Sequence, residues 1–399
     1  MSYIKISFWI SFGILFYVFI GYGIIIYLLI ICKRLFSKKV SNSNTYFEPS
    51  VTLIIPCYNE ADFITTKIAN CKRLNYPGDK LKIIFIIDGS TDESAMILKA
   101  WPEIKFLHQS ERAGKTAAEN RAMKFADTPF VIFSDANTDL NRDAVINIVK
   151  HFANESVGCV SGEKRIFNNV SDSASAAGEG FYWKYESLLK RLDSELNTAV
   201  GAAGELVAFR TELYKDLPED TLLDDFMQSM LIAIAGYKIV YEPNAYAIET
   251  ASASMEEELK RKVRICAGGW QSIIRLKSKL TVLKQPLLFF QYISHRVLRW
   301  TITPFLLIAI FILNLSMDLY VNGIYQVFMV LQFLFYTAAM VGLLLKNNNL
   351  KYKQIFVPYY FCMMNYAVLA GLVKYLMGTQ KVLWDRAKRK TVVFEKSIN

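Results

Sequence analysis

The sequence predicts an α/β domain with a mainly parallel sheet, carrying transmembrane α-helices at both ends. Three observations lead there. Runs of β-branched and aromatic residues at Val51–Pro56, Lys82–Ile87 and Pro129–Phe133 are continuous rather than alternating. Each stops at a polar turn, as buried parallel strands do. Of the 399 residues, 53% are hydrophobic and 14% aromatic, too many for a purely soluble chain of this length, and the excess lies at the two ends.

Phe8 to Cys32 is almost entirely apolar and exceeds the roughly 20 residues a helix needs to cross a bilayer. Lys33, Arg34, Lys38 and Lys39 follow it while only Lys5 precedes it, so the positive-inside rule places its C-terminal flank in the cytoplasm. A signal peptide would have a shorter apolar core, about 7–15 residues, and a small-residue cleavage site. The net charge of +10 comes mainly from basic residues beside apolar segments. That pattern suits anionic lipid head groups and argues against nucleic acid. Cys32, Cys57, Cys71, Cys159, Cys266 and Cys362 show no paired spacing, which excludes a zinc site or disulfide frame.

Beyond a polar linker at Ser41–Ser50, the strand Val51–Pro56 ends at a proline that cannot continue the ladder. Cys57-Tyr58-Asn59-Glu60-Ala61-Asp62 then opens a helix to about Leu74. An aromatic ring and an acid there suit stacking on a base and bonding to it or its sugar; an ordinary loop capped by Asn59 is the alternative. After a turn at Tyr76-Pro77-Gly78-Asp79, the next strand ends on Asp88-Gly89-Ser90-Thr91-Asp92-Glu93. This turn either presents Asp88 to a ligand or only caps a helix. Glu111-Arg112-Ala113-Gly114-Lys115-Thr116 opens a helix to about Phe125. It lacks the first glycine of a P-loop, yet Gly114 and Lys115 can bring an amide and an ammonium to a diphosphate; the alternative is a solvated helix start.

The third strand ends on Phe133-Ser134-Asp135-Ala136-Asn137, a carboxylate and a carboxamide two residues apart, with Asp139 close behind. Such oxygens at the carboxyl edge of a sheet suit Mg2+ or Mn2+ held jointly with substrate phosphates. A metal-free turn is the alternative. The neutral Asn137 predicts modest metal affinity in the absence of nucleotide.

Ala153–Gly162 gives another strand, Ser171–Gly180 a small-residue-rich mobile loop, and Tyr182–Leu192 a helix. Gly201-Ala202-Ala203-Gly204, before the strand Leu206–Arg210, either lets an acceptor approach the backbone or packs a helix on the sheet. Asp224 and Asp225 start a helix ending near Gly236. Acids sit well there for capping and dipole reasons, but apolar Leu223 and Phe226 can hold one desolvated as a general base. Met255–Arg264 is an acidic-to-basic helix that continues into Cys266-Ala267-Gly268-Gly269-Trp270-Gln271 at the membrane surface. It holds a diphosphate, closes over a sugar, or is only interfacial. From Leu287 the chain turns apolar, with an interfacial entry at His295, Arg296, Arg299 and Trp300 and spans at about Leu298–Leu315, Ile324–Leu345 and Phe356–Met377. Three crossings put the tail outside, whereas Lys381, Arg386, Lys388, Arg389 and Lys390 favour the inside, so either one segment does not cross or the tail escapes the bias.

Taken in this order, the loops resemble the processive-type family 2 glycosyltransferases, membrane enzymes that include cellulose, hyaluronan and poly-N-acetylglucosamine synthases. The resemblance covers nearly the whole chain, from Val51 to the Trp384-Asp385-Arg386 tail. It implies a GT-A (nucleotide-diphospho-sugar transferase) domain on the cytoplasmic side of the cell (inner) membrane. The implied division is an anchor and linker at 1–45, the GT-A domain at 46–280, and an interfacial helix, membrane helices and basic tail at 281–399. The resemblance makes Pro56, Tyr58 and Glu60 the nucleotide-recognition loop and Asp88 the uracil or ribose contact. It places Gly114 and Lys115 near the diphosphate and makes Asp135 with Asn137 the metal motif. Asp225, beside Asp224, matches the second acid of the family's base; Gly204 and Arg210 fall in the acceptor region, and Arg261, Arg264 and Trp270 near acceptor or diphosphate. Where processive members carry Gln-x-x-Arg-Trp, this chain keeps Trp270 and lacks the Gln and Arg.

The implied activity is inverting transfer from a nucleotide-sugar, a uridine diphosphate sugar, to a growing glycan of a cell-surface or extracellular polysaccharide, with a divalent metal. Membrane lipids are partners, and three or four helices per chain call for a secretion partner or homo-oligomer if a polymer is exported. One alternative is single-sugar transfer to a lipid-linked polyisoprenoid acceptor. Another is a non-catalytic nucleotide-binding assembly subunit, against which the joint retention of Asp88, Asp135 and Asp225 argues.

Overall fold

The computed structural model describes residues 2–36, 47–167, 174–250, 252, 254–318, 323–345 and 352–383. The chain forms a helical unit, Met1–Leu35 with Asn168–Tyr182 and Ser254–Gln380, and an α/β unit, Phe36–Phe167 with Trp183–Ala253 and Lys381–Asn399. Linker residues 41–46, residues 171–173 and the Trp384-Asp385-Arg386 tail with Lys388, Arg389 and Lys390 lie outside the described residues.

The chain starts with α1 (Ser2–Phe16) and α2 (Tyr22–Phe36), continuous through a π-turn at Tyr17–Gly21. The α/β unit follows with β1 (Val51–Cys57), α3 (Ala61–Lys72), β2 (Leu81–Asp88), α4 (Ser94–Lys99), β3 (Lys105–Gln109), α5 (Lys115–Met123) and β4 (Phe130–Ser134). It continues with β5 (Asp139–Leu140), α6 (Ala144–Val149), β6 (Val157–Phe167), α7 (Ala174–Leu196), β7 (Leu206–Arg210), α8 (Asp224–Ile234) and β8 (Lys238–Thr250). The eight strands form one sheet in the order β3-β2-β1-β4-β7-β6-β8-β5. The β1–β2, β1–β4, β2–β3 and β6–β8 pairs are parallel, and only β7 and β5 run against their neighbours. The mainly parallel sheet read from the sequence is therefore present.

Both faces of the central strands are covered, which is why their apolar runs do not alternate. Every residue of β4 is buried, and β1 leaves only Pro56 partly exposed. Val51, Leu53 and Ile55 join Ile64 and Ile68 of α3, Phe85 and Ile87 of β2, and Ile132 in one core. Fully burying such a side chain contributes about 1.5–3 kcal/mol.

Two elements differ from the sequence reading. β8, the longest strand, is not marked by its residues because it buries acids: Glu242 meets Lys150 at 2.9 Å and His151 at 2.7 Å, and Glu249 pairs with Lys164. The suggested mobile loop at Ser171–Gly180 is helical from Ala174, where α7 begins.

The helical unit adds α9 (Met255–Leu276), α10 (Pro286–Tyr292), a second π-turn at Ile293–Val297, α11 (Leu298–Trp300), α12 (Thr303–Asp318), α13 (Ile324–Leu344) and α14 (Lys353–Leu376). Ser2–Phe36, Ile324–Leu344 and Gln354–Leu376 are long and apolar enough to cross a membrane. The straight span expected at Leu298–Leu315 is broken instead: Pro286–Trp300 and Thr303–Met317 meet at 59°. Pro304 explains the break, since it lacks an N–H and its ring clashes with a preceding helical turn. Thr301 and Thr303 hydroxyls donate to the Val297 and Leu298 carbonyls of the turn before the break. α9 lies against α14 so closely that a Cβ on Gly371 would stand 2.7 Å from Ala267 N. Trp9 Nε1 donates to Tyr325 Oη at 3.0 Å, joining the first helix to α13.

Candidate functional site

The loops after β1, β2 and β4 leave the carboxyl edge of the parallel strands together, and they are tied to one another. Asn59 takes a left-handed conformation, φ 53°. Its Oδ1 accepts from Thr91 N at 2.8 Å, and its own N–H donates to Ser90 Oγ at 3.0 Å. The amides that open α3 are capped across the loop: Glu60 N donates to Ser94 Oγ and Ala61 N to Asp92 Oδ2, each at about 3 Å. Asn59 is thus not the helix cap that the plain reading of this loop offered. Pro56 lies in β1 opposite Ile86, and the Tyr58 ring that follows is covered by the Arg112 guanidinium at 3.4 Å.

Asp88, at the end of β2, is 4% exposed, and its carboxylate accepts from Ala113 N at 3.1 Å and Gly114 N at 2.6 Å. The second strand therefore fixes the loop that carries Gly114 and Lys115. Gly89 makes this possible, since at φ +64° any Cβ would lie 2.6 Å from the Arg112 amide.

Lys115 is the centre of charge. Its Nζ lies 2.8 Å from Asp135 Oδ1, 3.8 Å from Glu119 Oε1 and 4.0 Å from Asp224 Oδ2. Burial opposes its charge, but Asp135, Asp224, Glu119 and Asp225 hold the ammonium well above the usual lysine range. A Cβ on Gly204 would stand 3.1 Å from Lys115 Nζ and 3.2 Å from Asp225 Oδ2, so the glycine leaves open the space between cation and acid. Burial, then the neighbouring Asp224 charge, push the Asp225 carboxyl up to about 7. Burial and Asp224 likewise push Glu119 well above the carboxylate range. Gly201, φ +81°, lets the loop sit on the first turn of α8, where a Cβ would come within 2.2 Å of the Phe226 ring.

Asp135 and Asn137 sit in the turn between β4 and β5, whereas Asp139 is carried into β5 and faces Arg73 at 3.5 Å. Among the described residues no three acid, histidine or cysteine groups cluster as a metal site. The turn has a support that the sequence reading missed. Lys67 of α3, 1% exposed, donates to Ser134 Oγ at 2.8 Å, Thr138 O at 2.9 Å and Thr138 Oγ1 at 3.1 Å. Thr138 Oγ1 in turn donates to Asp135 O at 2.8 Å. The available signal is the position of Lys67 on the buried stripe Phe63, Ile64, Ile68, Cys71.

Arg210 is not brought to this site. β7 is antiparallel to β4, pairing Leu206 with Ser134 and Arg210 with Phe130, so Arg210 stands at the opposite edge of the sheet. Its guanidinium there donates to the carbonyls of Val157, Phe152 and Asn154. Arg261, Arg264 and Trp270 lie on α9 of the helical unit. Arg261 is committed to Glu258, at 3.0 Å through both Nε and Nη2.

Residues 52–217 match the family described as Glycosyl transferase family 2. Over 235 residues the chain is 28% identical to poly-beta-1,6-N-acetyl-D-glucosamine synthases of Staphylococcus aureus and Staphylococcus epidermidis. The match covers 56% of this chain and 56% of theirs, so the chain spans just over half the length of those relatives. The mannosyltransferase PcManGT from Pyrobaculum calidifontis, solved with GDP-Man and Mn2+, is 23% identical, with a TM-score of 0.70 over 93% of this chain and 99% of that one. The α/β unit accordingly has the GT-A fold.

Proposed function

Residues 52–217 being a family 2 glycosyl transferase domain, we propose that this chain is an inverting glycosyltransferase moving a sugar from a nucleotide-sugar to a growing glycan. The observation that carries the reading is the meeting of Lys115, Asp135 and Asp225 around Gly204. Asp225 accepts the acceptor hydroxyl's proton while that oxygen attacks the anomeric carbon, and the bond to the diphosphate breaks with its electron pair leaving on the phosphate. The Lys115 ammonium stabilises the charge so formed. Tyr58 supplies the face for the base, a uracil, and Asp88 acts indirectly by holding the Ala113 and Gly114 amides toward the diphosphate.

Asp135 and Asn137 offer hard oxygen donors where four carboxylates face one lysine, which fits a divalent cation such as Mg2+ or Mn2+. When bound, the cation would neutralise charge on the departing diphosphate. The names of the staphylococcal relatives support an N-acetylhexosamine as the sugar and a polysaccharide as the product. Lys33 and Arg34 at the end of the first apolar helix support a catalytic domain at the cytoplasmic face of the cell membrane.

The test is a donor screen on the full chain in membranes, with mass analysis of the product. A ladder of added N-acetylhexosamines is the expected result; one added sugar on a polyisoprenoid lipid would replace the polymer reading, and no nucleotide release from any donor would reject an enzyme.

A further inference from the structure

The turn joining α9 to α10 displays apolar side chains that the fold does not use. Leu276 and Leu280 are buried and anchor it, with Lys279 N and Leu280 N both donating to Leu276 O. Between that anchor and Pro286, Val282 is 52% and Leu283 93% exposed. Lys277, Lys279 and Lys284 surround them, all exposed. No Asp or Glu occurs between Leu259 and Met317, so nothing in this segment offsets the positive charge. The turn leads into Pro286–Trp300, the first arm of the bent apolar pair.

An ordered turn that presents a leucine to water inside a ring of lysines matches one kind of surface. Acyl chains take the leucine and phosphate head groups take the ammonium groups. We propose that the Lys277–Lys284 turn docks on an anionic bilayer leaflet, with Leu283 inserted at the head-group boundary and Lys277, Lys279 and Lys284 on lipid phosphates. The proposal rests on the reading of this chain as a membrane protein and adds to it a site that senses lipid charge. The attraction of each lysine to such a surface falls within a Debye length of about 10 Å at 0.1 M salt.

The experiment uses the full chain in nanodiscs of phosphatidylcholine alone or with phosphatidylglycerol. Leu283→Cys is labelled with an environment-sensitive fluorophore in a Cys32→Ser background, because Cys32 is the exposed native thiol among the described residues. The expected result is blue-shifted emission, quenched by shallow spin-labelled lipid, in the phosphatidylglycerol discs only. Lys277→Glu, Lys279→Glu and Lys284→Glu together should return the emission to that of a water-exposed dye, as should high salt. Emission that stays water-like in phosphatidylglycerol discs, or that is equally shifted without it, overturns the proposal. Retention in membranes after alkaline extraction is scored on the same samples. Loss of retention would reject the membrane reading itself, whereas retention with a water-exposed Leu283 rejects only the docking turn.

Discussion

Lys115 Nζ and Asp135 Oδ1 lie 2.8 Å apart, and the same ammonium faces Glu119, Asp224 and Asp225. One cation thus holds together acids from the turn after β4, the middle of α5 and the first turn of α8. Replacing it with Gln keeps a polar side chain, one atom shorter, and removes the charge. Lys115→Gln is expected to raise the donor KM at least tenfold and to lower kcat, measured by nucleotide release; unchanged kinetics would remove Lys115 from the diphosphate site.

Asp225 titrates near 7 because burial and Asp224 disfavour its charge. Working as a base it must be ionised, so kcat should climb about tenfold per pH unit below 7 and level above it. Asp224→Asn, by removing the adjacent charge, should move that inflection to lower pH. Asp225→Asn should lose about 10²–10⁴-fold in turnover while still binding nucleotide. The stability sign is opposite: a carboxyl raised above its unfolded value of 3.8 favours the fold below that pH and loses this as pH rises through about 7. Asp225→Asn should therefore melt higher than the parent at pH 8.

Lys67→Met leaves Ser134 Oγ and two oxygens of Thr138 without their donor. Each buried polar group so stranded costs about 1–3 kcal/mol. Because the loosened turn carries Asp135 and Asn137, the metal concentration giving half-maximal activity should rise more than the donor KM. Equal rises would make Lys67 a general stability residue instead.

Gly201→Ala should cost about 2 kcal/mol or more, since its Cβ would overlap the Phe226 ring at a φ that disfavours alanine. Gly236→Ala, with a positive φ but open space, should cost only the strain. Denaturant midpoints of the two variants separate overlap from backbone.

Glu242 reports on acid stability. Burial works against its charge, but His151 and Lys150 hold the carboxyl down to about 2. Its contribution is present above about 4.5 and is lost as pH falls through about 2. Glu242→Gln should destabilise by on the order of 2 kcal/mol at pH 6 and converge with the parent near pH 2, as urea titrations would reveal.

Much of this site is legible along the chain because a parallel strand buried on both faces must end at the ligand edge. Tyr58 and Asp135 follow from that rule, whereas Lys115 is read from the helix start beside Gly114. Direction is what the residues of a single strand do not encode: Leu206–Arg210 is as apolar as its neighbours, yet it runs backward and carries Arg210 away from the edge where Asp135 stands. Buried charges are equally silent, as Lys67, Glu119 and Glu242 look like surface residues until their partners arrive from distant segments. The Asp88 carboxylate falls between these cases. Its placement at the strand end is predictable, but its use on the Gly114 loop depends on how closely that loop crosses Gly89.

The bond from Trp9 to Tyr325 spans 316 positions of sequence. At about 5–20 residues added per second, the ribosome finishes α13 roughly 15–60 s after the first helix has emerged. During that wait Phe36–Ala253, which carries the whole sheet, is synthesised, so the sheet has time to form before α13 exists. The first helix must meanwhile persist in lipid with Phe8 and Trp9 facing no α13 at all. Biogenesis therefore depends on its unbroken apolar length rather than on its eventual contacts, and substitutions at Trp9 should impair late assembly without impairing insertion.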